Sequence, residues 1–199
     1  MKTCLIFLLM PAVIFAQGAP PVDGLLPDTG GSGIPTVQVL PSVPGGAVAA
    51  MAALPAKYAG TILEVTGNGG APDPKEWVIL AWNAEDPGSL RRLVVSGGRM
   101  IGDSPSLSVY QSERKEVAVA LSALGIDSGG VWSIAQAYAA ANGAPLESAD
   151  YVLTTHAKGV PPVWTVTCHG GGGKSIGKLV ISADDGTVQS HPGFKNAPR

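Results

Sequence analysis

The run His169-Gly170-Gly171-Gly172-Gly173-Lys174-Ser175 invites two catalytic readings. A phosphate loop has Gly, four residues, then Gly-Lys-Ser/Thr and a helix, so that backbone N–H groups and the lysine cradle phosphate oxygens. Here Cys168 stands where the first glycine belongs, and residues 176–182 read as a strand. His-Gly-Gly-Gly is also an oxyanion element of esterases, which works with a G-x-S-x-G elbow between strand and helix. No G-x-S-x-G occurs in the chain, so the run reads as a flexible hairpin tip. Metal binding needs converging ligands, but His156, His169 and His191 are far apart and form no His-x-x-x-His pair. Cys168 and His169 are neighbours that a strand would point to opposite faces. Asp184-Asp185-Gly186 carries two carboxylates, yet Asp-Gly between two β-rich runs is foremost a tight-turn signal. No catalytic, cofactor-binding or metal-ligating residue is assigned, and no cofactor is expected.

The composition limits what can position these residues. With 27 Gly and 17 Pro in 199 residues, long helices and coiled coils are excluded. Charged residues make up 14%, low for a soluble chain, and 13 basic against 15 acidic residues leave a net charge of −2. That balance lacks the basic footprint of a nucleic-acid binder. Met1 and Lys2, an apolar run over residues 4–15 and the small Ala16 have the form of a secretory signal peptide, residues 1–16, cut before Gln17. The run is too short for a membrane span, which takes about 20 residues. Cys4 lies at its start rather than just after it, so no lipid anchor is expected and the mature form is expected to carry no membrane anchor. Cleavage leaves Cys168 as the sole cysteine, without an internal disulfide.

Residues 17–44 are rich in Pro and Gly and read as a linker, in which Thr36, Val37, Gln38, Val39 and Leu40 alternate like a short strand. Two units follow, residues 45–103 and 128–190, separated by a connector, 104–127, and followed by a tail, 191–199. An offset of about 87 residues superimposes their signals. Pro74 and Trp77 open a strand through Ala81, and Pro161 and Trp164 open one through Cys168. Each is followed by a polar or Gly turn and a second strand, Leu93-Val94-Val95-Ser96 in one case and Leu179-Val180-Ile181-Ser182 in the other. Alternation then puts Trp164, Val166 and Cys168 on the core face, opposite Thr165, Thr167 and His169. Cys168 takes the place of Ala81, the mark of a small buried thiol. Ser128 can cap a helix over 129–142 with Val131, Ile134, Ala135 and Tyr138 on one stripe, and residues 46–58 are a helix candidate interrupted by Pro55. Strands over 61–66 and 151–155 enter the hairpins. The expected fold class is α+β, two tandem modules, each a helix packed on a small antiparallel sheet.

The second unit resembles the PepSY family through Asn142-Gly143, Tyr151-Val152-Leu153, Pro162-Val163-Trp164-Thr165-Val166, Gly173, Gly177 and the stretch from Leu179 to Val188. The first resembles it more faintly. PepSY domains are small α+β modules found in propeptides of thermolysin-like metallopeptidases and in many exported bacterial proteins. The resemblance implies a helix on an antiparallel sheet, an exported location, periplasmic or secreted, and inhibition or regulation of peptidases, with no catalytic residue. The expectation is an exported, non-enzymatic binding module whose partner is an exported peptidase or another envelope protein. The alternative is a structural cell-envelope protein without a peptidase partner; a hydrolase is the weakest reading, because no nucleophile–base pair stands out. Trp82, Trp132 and Tyr110 fall off the predicted core face, available for an interface or for burial between the two units.

Overall fold

In β6 (Val163–His169) Trp164, Val166 and Cys168 are fully buried while Thr165, Thr167 and His169 stay partly exposed. This period of two belongs to a strand with one face in a core. It recurs in β3 (Leu90–Ser96), β5 (Ser148–Thr154) and β7 (Ser175–Ser182), and the strand set is completed by β1 (Ile62–Gly70), β2 (Glu76–Trp82), β4 (Arg99–Pro105) and β8 (Val188–Ser190). The computed structural model describes residues 45–83, 85, 86, 89–107 and 117–198. The expected signal peptide, the expected linker with its short alternating run, and Tyr110 lie outside the described residues.

All eight strands join one antiparallel sheet in the order β4-β3-β2-β1-β5-β6-β7-β8. This corrects the expectation of two tandem helix-on-sheet modules. The two meanders zip together because β1 pairs with β5, with Val65 opposite Leu153, Thr66 opposite Val152 and Gly67 opposite Tyr151. One hydrophobic core consequently runs under both. The expected helix over 46–58 is also corrected. Gly45 and Gly46 precede it and Pro55 follows, so α1 spans only Ala47–Ala52, and Ala56–Tyr58 is a separate 3-10 turn. Proline lacks the N–H that a continuing helix would donate and pushes the residue before it toward extended backbone. The one long helix among the described residues, α2 (Ser128–Ala141), lies against β6 and β7. The result is a sheet-dominated fold.

The two meanders share one irregularity in their outer pairings, while the shifts between Ile62 and Glu64 in β1–β2 and between Cys168 and His169 in β6–β7 have no counterpart. Register shifts between Val94 and Val95 where β3 meets β4, and between Val180 and Ile181 where β7 meets β8.

At that junction three aromatic rings touch. Trp77 and Tyr151 have centroids 5.9 Å apart, Tyr151 and Trp164 6.3 Å, and Trp77 and Trp164 6.5 Å. Each polar tip has an acceptor: Trp77 Nε1 donates to the Gly45 carbonyl at 2.7 Å, Tyr151 OH to that of Pro72 at 2.7 Å, and Trp164 Nε1 to that of Ile126 at 3.2 Å. A buried aromatic keeps its stabilising value only with such a partner. Along α2, Val131, Ala135, Tyr138 and Ala139 face the sheet, with Ile134 packed partly against it.

The C-terminal segment closes the far end. Phe194 is buried against Tyr138, with ring centroids 5.8 Å apart, and Asn142 Oδ1 accepts from the backbone N–H groups of Lys195 and Asn196 at 2.8 and 3.0 Å. No helix among the described residues is long and apolar enough to cross a membrane.

Candidate binding surface

Both helices pack on one face of the sheet, the face that carries Val65, Ile79, Leu93, Tyr151, Val166 and Leu179. The opposite face follows from register. Gly102 pairs with Val94, Val94 with Val78, Val78 with Thr66, Thr66 with Val152, Val152 with Thr165, Thr165 with Val180, and Val180 with Ser190. These eight residues form one row across all eight strands, without a charge. Six of them are β-branched and half-buried, as side chains on a pleated surface are when flanked only by their neighbours. Charges stand to either side of the row: Arg92 and Glu64 toward one end of the strands, Glu76, Asp150 and Lys178 toward the other.

The Gly-rich run sits at one corner of this face. Gly171–Gly173 form a 3-10 turn that leads into β7 rather than into a helix. The Gly170 N–H donates to the Lys174 carbonyl at 2.9 Å and that of Gly173 to the Gly170 carbonyl at 3.0 Å, so the tip is a hydrogen-bonded turn. Its base is held by His169, whose Nε2 lies 2.8 Å from Asp150 Oδ2, while Asp150 Oδ1 accepts from the Gly69 N–H at 2.8 Å. His169 Nδ1 is buried without a partner among the described residues. Residues 171–175 are all exposed, and the tip projects Lys174 on a fixed base.

The other residues singled out from sequence scatter. Asp185 accepts from the Thr187 N–H at 2.9 Å and Gly186 has φ 77°, which makes 183–186 the turn between β7 and β8. That backbone hydrogen bond, with others from Ser182 and Thr187, holds the Asp185 carboxyl below the usual range. His191 stacks on Tyr138 and His156 is exposed. No group of three or more His, Cys, Asp or Glu side chains converges among the described residues. Cys168 is buried, and burial pushes its thiol up to about 11, which withholds the nucleophilic thiolate. Trp82 is buried with Leu63, Leu80 and Leu90 in a small second cluster, and Trp132 packs partly against the main core. Of the two uses their phase left open, an interface or burial, Trp82 is buried and Trp132 partly so.

Two polar constellations went unnoticed in the sequence. Asp127, not Ser128, caps α2: its Oδ1 accepts from the Ser128 N–H at 2.7 Å and also from the Val48 N–H of α1 at 3.2 Å. One carboxylate thereby serves the first turns of both helices, where unpaired N–H groups and the helix dipole favour negative charge. Ser128 is fully buried, and its Oγ donates to Asp73 Oδ1 at 2.8 Å. Burial pushes the Asp73 carboxyl up and Asp127 adds to this, against the opposing hydrogen bond from Ser128. In the second constellation Tyr58 OH donates to Asp103 Oδ2 at 2.9 Å and Arg91 Nε to Asp103 Oδ1 at 2.7 Å, fastening edge strand β4 to the turn after α1. Burial works to raise the Asp103 carboxyl, but the hydrogen bonds from Arg91 and Tyr58, together with the positive charges of Arg91 and Lys57, hold it low. A shallow groove of about 340 Å³ lined by Ala118, Ala120, Thr155, Val160 and Pro162 lies beyond the ends of β5 and β6.

The Asp73 geometry sets a pH dependence. A carboxyl raised in the folded state favours folding below its unfolded value, about 3.9, and that contribution is lost as pH rises through the folded value. Asp73→Asn keeps an acceptor for Ser128 and removes the charge. Its melting temperature is expected to exceed the parent's near pH 7 and to converge on it near pH 4; parallel profiles from pH 4 to 7 would show that Asp73 is not strained.

No family model matches the chain, and no curated protein or solved structure matches it either.

Proposed function

We propose that this chain is an exported, non-catalytic binding module that restrains a partner peptidase, the Gly170–Lys174 tip entering a cleft of the partner. The observation that carries the reading is the tip itself. Gly171 to Ser175, five consecutive exposed residues, stand on a base held by the Asp150–His169 contact and two backbone hydrogen bonds of the turn, and present backbone and one lysine to another surface. The export signal in the first 16 residues and the PepSY resemblance of the second half support the compartment and the class of partner.

The test uses chain 17–199 as bait on the exported fraction, with and without Gly171 and Gly172. Removing Gly171 and Gly172 gives up the Gly173 to Gly170 hydrogen bond of the turn but no core packing, and is expected to lower stability by no more than about 1 kcal/mol. Capture of a peptidase, and slowing of its activity in a coupled assay, should fall together. A shortened chain that retains both would move the contact away from the tip. Capture of peptidoglycan instead of any protein would favour a structural envelope role.

A further inference from the structure

We propose that Asn68 is a self-modification site: the Gly69 backbone nitrogen closes onto the Asn68 side chain to form a succinimide, with Asp150 as the base, and water then opens the ring. The product is aspartate or isoaspartate at position 68. The inference uses no part of the peptidase reading.

Asn-Gly is the dipeptide best suited to this closure, because glycine sets no Cβ beside the attacking nitrogen. The chain holds two, Asn68-Gly69 and Asn142-Gly143, and their surroundings are opposite. Asn142 Nδ2 donates to the carbonyls of Tyr138 and Asn196, both at 2.8 Å, and its Oδ1 accepts from the N–H groups of Lys195 and Asn196. An amide held in this way cannot turn its carbonyl carbon toward the next nitrogen without giving up those hydrogen bonds. Asn68 is exposed, and its side chain has no hydrogen-bond partner among the described residues.

Strand pairing sets Asp150 against the exposed dipeptide. Gly67 lies opposite Tyr151 and Gly70 opposite Ala149, so Asn68 and Gly69 together face the single residue Asp150 in a β-bulge. The outer glycines seat the ends of the bulge: a Cβ on Gly67 would overlap Pro74 and Trp77, and one on Gly70 the Pro72 carbonyl and the Tyr151 ring. Gly69 between them has φ 65° and open space where a Cβ would stand. Its N–H donates to Asp150 Oδ1 at 2.8 Å, while Asp150 Oδ2 lies 2.8 Å from His169 Nε2. The nitrogen that must lose a proton to attack is therefore already bonded to a carboxylate, within the reach that a general base needs.

Water is the sole co-reactant. As the Gly69 nitrogen bonds to Asn68 Cγ, its proton passes to Asp150. The Cγ–Nδ2 bond breaks, and Asp150 returns the proton to the departing nitrogen, which leaves as ammonia. Water then adds to either ring carbonyl and breaks one of the two ring C–N bonds, which yields aspartate or isoaspartate. Ring closure removes the N–H that Asp150 accepts, and ring opening sets a second carboxylate opposite it, an unfavourable cross-strand pair. Asp150 also holds His169, so the change reaches the base of the Gly170–Lys174 turn.

The test incubates the 17–199 chain at neutral pH in heavy-oxygen water, which marks each oxygen gained by hydrolysis. Mass spectrometry then follows tryptic peptides 58–75 and 116–158, each with one Asn-Gly, and the isolated peptide 58–75 is the unfolded reference. Position 68 of the folded chain is expected to react at least as fast as that peptide, and about 10-fold or more faster than position 142, whose amide must first lose its hydrogen bonds. Asp150→Asn keeps an oxygen for the Gly69 N–H but removes the base, and should slow position 68 about 10-fold or more while leaving position 142 unchanged. A folded chain that reacts at position 68 more slowly than the free peptide, or no faster than at position 142, overturns the proposal. So does an Asp150→Asn chain, folded by its far-ultraviolet circular dichroism, that reacts at the parent's rate. Should that variant fail to fold, the two comparisons in the parent still decide. Peptidase capture is a separate readout, and neither result settles the other.

Discussion

Trp164→Ala is expected to lower the stability of the whole sheet by about 3–5 kcal/mol, the cost of replacing a fully buried large aromatic with a cavity. Trp164 has no exposed surface, and its indole N–H is bonded to the Ile126 carbonyl, so truncation removes packing and leaves that acceptor unsatisfied. Trp77→Ala should cost a similar amount. What separates one continuous sheet from two modules is the shape of the unfolding curve. Because Trp77, Tyr151 and Trp164 touch across the β1–β5 junction, either substitution should shift a single cooperative transition. The double variant should lose less than the sum, since residues in contact are not additive. For a domain of ordinary total stability, about 5–15 kcal/mol, the double variant stands near or beyond the unfolding threshold. Two separate transitions in either single variant, seen by calorimetry, would contradict the shared core.

What the sequence shows and what it hides divide along the range of the interactions. The phase of β6 was legible because Trp164, Val166 and Cys168 alternate with Thr165, Thr167 and His169, and side-chain direction along a strand depends on nothing beyond the strand. The α2 stripe of Val131, Ala135 and Tyr138 is local in the same way. The pairing of β1 with β5 is not: Val65 and Leu153 meet across most of the described chain, and no periodicity in either strand names its neighbour. Without that pair, two similar meanders read as two modules. The truncation of α1 was half legible in Pro55. The cap of α2 was misplaced by one residue, because Asp127 and Ser128 are both good caps by type and only the carboxylate's second bond to Val48 distinguishes them.

The candidate surface was hidden for a related reason. Val78, Val94, Val152 and Val180 look like core residues in a strand pattern, and only the register shows that they line up on the face away from the helices. The tip was legible, since four consecutive glycines weaken any strand they enter. Its rigid base was not, because the Asp150–His169 contact joins β5 to β6 through side chains whose types alone predict no partner.

Gly125→Ala is expected to destabilise the fold by about 1–3 kcal/mol, the range for forcing extra volume into a filled site. Gly125 is the point where the connector enters the sheet: its N–H and that of Ile126 both donate to the Ala183 carbonyl, at 2.8 and 3.0 Å. A Cβ there would overlap the Asp184 carbonyl oxygen, a backbone atom with no rotamer to move aside. Relief requires the connector to lift, which breaks one or both hydrogen bonds and draws Ile126 away from the Trp164 N–H that its carbonyl receives. Gly177→Ala is the informative control. The three atoms nearest its Cβ all belong to the Phe194 ring, a side chain rather than backbone, so a smaller loss is expected. Thermal melts of both variants decide the matter, since a Gly125→Ala melting temperature at or above that of Gly177→Ala would mean that the connector is not seated against Asp184.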